Sequence, residues 1–295
     1  MTKLVYLTDS YKTTLSTRVK SVMKKGDHSE VVLQETIFYP EGGGQPSDKG
    51  EIEGKSGKIS ITRVRMKGAD VIHEGMLTGA ITRSEQVTAE IDWELRFDHM
   101  RWHSAGHVIH EVVMQLVPGL TPVKGEHGKR AYIEYQGAIN PKLAETIEKK
   151  ANMLVAEGRK IRTELVSLEE LKKRASWVPP RLPKNKPLRI MEIAGFSPIP
   201  DGGTQVKNSS EIGTIKVVSI EHLGDLVRVN YSIVEQVRPV IEQLETVAAS
   251  RDKQVAPANK LTLNNFSSLV LEMENELLGA IGKTDPQKIE ELKVP

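Results

Sequence analysis

From Lys3 to about Ile91 the chain alternates short β-prone runs with glycine-marked turns, and this pattern constrains the fold more than any other feature. The runs are Val31-Val32-Leu33, Thr36-Ile37-Phe38-Tyr39, Ile59-Ser60-Ile61, Val71-Ile72-His73 and Val87-Thr88-Ala89-Glu90-Ile91. Gly42-Gly43-Gly44, Gly54 and Gly68 separate them. β-branched and aromatic residues between turn formers read as strands, and short strands at this spacing predict a small antiparallel barrel. Beyond Ile91 the pattern changes. Asp98 is placed to cap a helix running to about Val117, where Pro118-Gly119 stops it. A strand around Ala131–Tyr135, a helix near Pro141 to Glu157, and β-prone runs near Arg159–Val166, Leu188–Ile193 and Thr214–Ile220 follow. The predicted class is α+β: a barrel over 1–95, an α+β domain over 96–234, and a helical C-terminal extension over 235–295. The extension is broken at Pro257 and Pro286 and is acidic on balance. It is expected to pack on the preceding domain or to self-associate through Leu269, Val270, Leu271, Leu277 and Leu278.

The helix after the barrel carries the chemistry. His103-Ser104-Ala105-Gly106-His107 puts two imidazoles at i and i+4, one above the other on a helix face, so both can reach one ion from a stiff backbone. His99 and His110 enrich the same stripe. The alternative is a partly buried histidine face without a metal. Met100, Val108, Val112 and Leu116 recur near helical spacing and are assigned to the core. Zinc proteases with two helical histidines need a glutamate directly after the first as general base, and this chain has Ser104 there. A base must therefore come from elsewhere in the chain or from a metal-bound water whose pKa is brought towards ~7. The chain has no cysteine, so a metal would have only nitrogen and oxygen donors. The natural second donor segment is Asp201-Gly202-Gly203-Thr204-Gln205, whose glycines can alternatively make a simple tight turn.

Composition is that of a soluble globular protein, with 27% charged and 38% hydrophobic residues. The N-terminal apolar run is too short for a signal peptide and no stretch approaches the ~20 residues of a membrane span, so a cytoplasmic protein without a membrane partner is expected. From Leu171 to Met191 the chain carries Lys172, Lys173, Arg174, Arg181, Lys184, Lys186 and Arg189 with no acidic residue, interleaved with Trp177 and prolines. A basic, proline-stiffened loop beside an aromatic suits phosphates and an unstacked base, whereas an accidental linker normally mixes signs. Nucleic acid is the partner class this favours.

Phe38-Tyr39-Pro40-Glu41-Gly42-Gly43-Gly44-Gln45-Pro46-Ser47-Asp48-Lys49-Gly50, then His103-Ser104-Ala105-Gly106-His107, then Gly202-Gly203-Thr204 leading into Glu211-Ile212-Gly213, resemble the editing domain of alanyl-tRNA synthetase. More closely they resemble its freestanding relatives, the AlaX trans-editing proteins. Three separated motifs in one order make the resemblance specific, and it runs from near the start to about residue 234.

The resemblance implies a β-barrel followed by an α+β catalytic domain that hydrolyses the ester joining serine, or glycine, to alanine tRNA. A pocket cannot exclude an amino acid smaller than its own, and one methylene is worth only ~1–3 kcal/mol, so a second, hydrolytic sieve is needed. The resemblance further implies zinc held by the histidine pair and by a Cys-xxx-His pair, together with the nucleotide- and ATP-binding signature of the synthetase family. His103 and His107 match the first pair, while Asp201 and Gln205 stand where the family has cysteine and histidine. Two arrangements are open at that point. His103, His107 and Asp201 can form a three-ligand Zn2+ site with water at the fourth position, or Gln205 can hydrogen-bond substrate or water while the metal is weakly held or absent. From composition alone Gly42-Gly43-Gly44-Gln45 reads first as a plain hairpin turn, and the resemblance points instead to Gln45 and Gly43 for handling mischarged serine. Thr204 is a candidate to bond the substrate amine or hydroxyl, or equally its own turn, and His127, in the glycine-flanked segment Lys124-Gly125-Glu126-His127-Gly128, reads first as an exposed loop histidine and second as one that approaches the metal or the tRNA end. Lys172, Lys173 and Arg174 are the candidate tRNA contacts. The alternatives to an editing hydrolase are a catalytically impaired tRNA-binding module on the same fold and a metal hydrolase of small esters or amides.

Overall fold

The computed structural model describes residues 1–25, 28–175, 178–179, 182 and 187–234. The expectations placed on Trp177, Arg181, Lys184 and Lys186, and on the extension over 235–295, lie outside the described residues. The described residues, up to Val234, form one compact unit.

Six strands close the barrel: β1 (Thr14–Lys25), β2 (His28–Leu33), β3 (Gly50–Glu53), β4 (Ser56–Lys67), β5 (Asp70–Ala80) and β6 (Gln86–Ile91). They run in the order β1-β2-β5-β4-β3-β6, every neighbouring pair antiparallel, with β6 returning to β1. The alternation seen in the sequence is the reason. Ile59 and Ile61, like Val87, Ala89 and Ile91, point inward at every second position and pack with Val19, Val31, Leu33, Phe38 and Ile52. Thr36-Ile37-Phe38-Tyr39 departs from expectation: only Glu35–Thr36 pairs as strand, and the following residues are buried in an irregular loop. That loop leads to the glycine motif.

Helix α1 spans Trp93–Leu116 and its cap is Asp92, whose side chain accepts a hydrogen bond from the Leu95 amide. The expected cap, Asp98, lies one turn and more inside the helix. The sequence offers Asp92-Trp93-Glu94 as an earlier start, and Asp92 takes it because its own amide is held by Lys49 at the barrel's end. The helix therefore begins two residues after the last barrel strand and straddles the expected boundary at 95/96.

Strands β7 (Thr121–Glu126) and β8 (Tyr132–Gln136) follow, then helix α2 (Ala144–Ala156) entered through a 3-10 turn at Pro141–Leu143. Next come β9 (Ile161–Val166), helix α3 (Leu168–Arg174), β10 (Leu188–Ile193), the two-residue β11 (Ile199–Pro200), β12 (Thr214–Leu223) and β13 (Leu226–Val234). One antiparallel sheet has the order β12-β13-β8-β7, and a smaller one β9-β10-β11. Met100, Val108 and Val112 of α1 are fully buried against this second core, as their spacing predicted, with Leu116 packed at its margin. Among the described residues no helix is long and apolar enough to cross a membrane.

The basic run is divided differently from the expectation of one loop. Lys172, Lys173 and Arg174 form the last turn of α3, where cations favour the negative helix end, and Arg189 belongs to the interior of β10.

Candidate metal and hydrolytic site

Two segments distant in sequence converge on the middle of α1. His103 is 1% exposed and His107 is half-buried on the same helix face, their rings stacked 4.9 Å apart. The loop after β11 brings Asp201 against both: His103 Nε2 lies 3.5 Å from Asp201 Oδ1, and His107 Nε2 lies 3.7 Å from Asp201 Oδ2. Gly203 permits this approach, because a Cβ there would sit 2.0 Å from a ring carbon of His103. Ser104 fixes the same loop by accepting a 3.1 Å hydrogen bond from the Val206 amide.

The barrel supplies the other side. Tyr39 donates its hydroxyl to Gly42 O at 2.7 Å, and Gly42 and Gln45 close a two-residue hairpin through reciprocal backbone bonds of 3.1 and 2.9 Å. Gly43 and Gly44 both have positive φ, 56° and 79°, the backbone such a hairpin needs and that side chains disfavour. The hairpin turn is thus present, and it serves to aim Gln45. Gln45 Oε1 accepts from His103 Nδ1 at 2.8 Å and from the Thr204 amide at 2.9 Å, while its Nε2 donates to Thr204 Oγ1 at 2.8 Å. Because the amide oxygen can only accept, His103 carries its proton on Nδ1 and turns the Nε2 lone pair towards Asp201. Underneath, Asp48 bonds the Tyr39 amide at 2.6 Å and forms a fully buried ion pair with Arg96 of α1, which also donates to Ser10 O and Ile37 O.

Of the expected site residues, the structure brings together His103, His107, Asp201, Thr204, Gln205 and Gln45. Gly43 sits in the adjoining turn. Lys172 and Lys173 stand exposed on α3. Arg174 is engaged by Glu164 at 2.7 Å and Glu192 at 3.0 Å, acids that neighbouring strands supply and the run itself lacks. His127 is not the exposed loop residue its glycine neighbours implied: it is 6% exposed and stacks on His103 at 4.3 Å. Tyr231 donates its hydroxyl to Trp102 O at 3.0 Å and so accepts from His127 Nδ1 at 2.8 Å, which leaves the His127 Nε2 as a lone pair. His107 and His127 share a cavity of about 230 Å³ with His110, Lys124, Val123 and Ile199.

Arg189 is the site residue that sequence reasoning counted for another purpose. It is 6% exposed and donates to Leu7 O, Asp201 O and Gln205 Oε1 at 2.9, 3.0 and 2.9 Å. Its signal was available: a single cation in the apolar run Leu188–Ile193 must find buried partners.

Protonation states suit metal binding. Burial lowers His103 to about 4, outweighing the opposing pull of Asp201. Burial works to raise the Asp201 carboxyl, but His103, His107 and Arg189 together hold it well below the usual carboxylate range. At neutral pH the site therefore presents a neutral imidazole and an ionised carboxylate, the forms that coordinate.

The donor set approaches zinc spacing: donors at about 2.0–2.1 Å from a tetrahedral ion are about 3.4 Å apart, and each imidazole Nε2 lies 3.5 or 3.7 Å from a different oxygen of the Asp201 carboxylate. One atom from each of His103, His107 and Asp201 lies within 4.8 Å of the others. His107 Nε2 is buried with no hydrogen-bond partner among the described residues, an orphan that an ion would satisfy.

The family model for class II (A) tRNA synthetases matches residues 6–95. The alanyl-tRNA editing protein AlaX-M of Methanosarcina barkeri is 33% identical over 76% of this chain and 95% of its own length. AlaX-L of Pyrococcus horikoshii is 34% identical over 74% of this chain, which spans 54% of that protein. The alanine–tRNA ligase of Sulfurisphaera tokodaii is 30% identical over 99% of this chain and 33% of the ligase. Similarity to the ligase thus continues past residue 234, where the sequence motifs end.

Proposed function

The chain belongs to the AlaX-type family of alanyl-tRNA editing proteins, and from that premise we propose that it is a trans-editing hydrolase, cytoplasmic, that removes serine, and also glycine, from alanine tRNA. One observation carries the reading. His103, His107 and Asp201 meet at metal-ligand spacing directly against Gln45 and Thr204, so a coordinating triad and a set of polar groups for a small amino acid share one buried site.

Hydrolysis adds the oxygen of water to the ester carbonyl carbon, breaks the bond to the terminal ribose oxygen and returns a proton to that oxygen. It consumes no ATP, and no residue is assigned to a nucleotide cofactor. Zinc bound by His103, His107 and Asp201 would supply a Lewis acid for the ester carbonyl and lower the pKa of a bound water. Gln45 fixes the His103 tautomer and, by donating to Thr204 Oγ1, leaves the threonine proton free to bond the substrate's hydroxyl or amine. Gln205 orients what binds at the remaining position by holding the Asp201 carboxylate. Gly43 gives the aminoacyl end room beside the turn. Lys172 and Lys173 face tRNA phosphates, with Arg174 beside them held by Glu164 and Glu192; such contacts do not specify sequence but strengthen and steer binding.

The test is deacylation of Ser-, Gly- and Ala-tRNA(Ala) by the full chain. Release of serine and glycine with alanine left in place supports the proposal. Binding of all three without release identifies an impaired tRNA-binding module, and turnover of small esters alone identifies a different hydrolase.

A further inference from the structure

We infer that Arg189 is a positioning residue that keeps Gln205 from ligating the metal, so that the site has three protein ligands and one exchangeable position. The inference rests on the proposal that His103, His107 and Asp201 hold the ion. It concerns Gln205, which stands where the resemblance places a fourth ligand.

Donors and acceptors fix the orientation of the Gln205 amide. A guanidinium has only donors, so the Gln205 atom that Arg189 Nη2 meets at 2.9 Å must be the amide oxygen. A carboxylate has only acceptors, so the Gln205 atom bonded to Asp201 Oδ2 must be the amide nitrogen. The two contacts demand the same amide orientation. An amide ligates a metal through its oxygen, and that oxygen is turned away from the triad and held. The amide nitrogen, which faces the triad, has no lone pair to give.

Arg189 is itself fixed by bonds to Leu7 O at 2.9 Å and Asp201 O at 3.0 Å, so it cannot follow Gln205 if the amide swings. The Asp201 carboxylate is gripped on both oxygens, by Gln205 Nε2 on Oδ2 and by the Gly203 amide on Oδ1 at 3.2 Å. Its orientation towards His103 and His107 is therefore set by hydrogen bonds that exist without the ion. The Arg189 cation, 3.7 Å from Asp201 Oδ2, adds positive charge beside the fourth position and favours an anionic or strongly dipolar occupant there.

The test loads the full chain with cobalt(II) in place of zinc and titrates thiocyanate while the visible spectrum is recorded, because a ligand entering the coordination sphere changes its geometry and absorption. The wild type is expected to bind one cobalt per chain and to respond to thiocyanate. Gln205→His, which offers an imidazole lone pair at the same place, is expected to bind cobalt more tightly and to lose the response. Arg189→Met frees the Gln205 oxygen and removes the charge, so it should keep one cobalt per chain but weaken thiocyanate binding by about 10–100-fold, the usual scale of an outer-shell change.

Arg189→Lys guards against a variant that fails to fold and separates charge from positioning. It keeps the cation but cannot hold Asp201 O and Gln205 Oε1 together, so it should be weakened as Met is. A wild type that binds cobalt but ignores thiocyanate overturns the inference, as does a full response in Arg189→Lys or Arg189→Met. A wild type that binds no cobalt overturns the metal reading as well.

Discussion

Asp201 is the residue on which the site turns, and its chemistry predicts how the site responds to substitution. A thiolate is a stronger zinc donor than a carboxylate, so Asp201→Cys should hold zinc at least as tightly as the wild type. His103→Ala leaves two donors and should lose the metal and the hydrolysis together while the barrel's circular dichroism is unchanged. Zinc content after gel filtration checks both. A second buried imidazole, His73, reports on stability alone. It is fully buried in the barrel, with Nδ1 donating to Val31 O at 3.0 Å and Nε2 accepting from Thr36 at 2.8 Å. Burial lowers it to about 4. Its folded pKa is below its unfolded value, so its contribution is complete above about pH 6.5 and is lost as pH falls towards 4, the loss reaching about 2 kcal/mol by pH 5. His73→Gln should reduce the proton uptake on unfolding at pH 5 by about one, measured from urea midpoints across pH.

At the scale of elements, the site is assembled where the barrel's glycine turn meets α1, and the Arg96–Asp48 pair is the rivet. Both side chains are fully buried, and Asp48 also holds the Tyr39 amide at the entrance to the turn that aims Gln45. Removing one partner of a buried pair leaves an uncompensated charge, so Arg96→Met should cost about 3–5 kcal/mol in urea unfolding. Its surviving folded fraction should bind metal less tightly, because Gln45 no longer holds His103. Helix α3 makes a separate prediction. Replacing Lys172, Lys173 and Arg174 together should weaken tRNA binding and flatten its log–log salt dependence by about two, one unit for each exposed lysine. Arg174 adds little because Glu164 and Glu192 already occupy it. Filter binding between low and moderate salt reads both effects.

These elements show what the sequence made legible. The barrel was readable because Ile59, Ile61, Val87, Ala89 and Ile91 alternate with polar residues, a period that only a one-faced strand produces. The histidine pair and the Asp201–Gln205 segment were readable because spacing and motif order survive without coordinates. Helix α1 was placed too late because Asp92 and Asp98 are equal as caps in a string of letters. Lys49, which holds the Asp92 amide, decides between them through a contact 43 residues away in sequence. Charge counting makes Arg189 one cation among seven because it ignores that Arg189 sits on an interior strand, buried against Leu7 O, Asp201 O and Gln205 Oε1. His127 looks exposed because Gly125 and Gly128 flank it, yet Gly125 together with Gly106 of α1 is what admits its ring: a Cβ at either would lie 2.6 Å from it.

Across the whole molecule the design is one of division of labour. The barrel contributes Gln45 and the turn behind it, α1 the imidazoles, and the loop after β11 the carboxylate and Thr204. Each part alone lacks a working set, and the described residues hold all of them in one compact unit. The central claim is that this convergence is a metal-dependent ester hydrolase. The most direct measurement is the rate of Ser-tRNA(Ala) deacylation by the purified full chain, with its zinc content determined on the same sample, before and after treatment with chelator and again after zinc is restored. The account predicts about one zinc per chain, loss of turnover when it is stripped, and recovery on its return. Full-rate deacylation by a metal-free chain indifferent to chelator would contradict it.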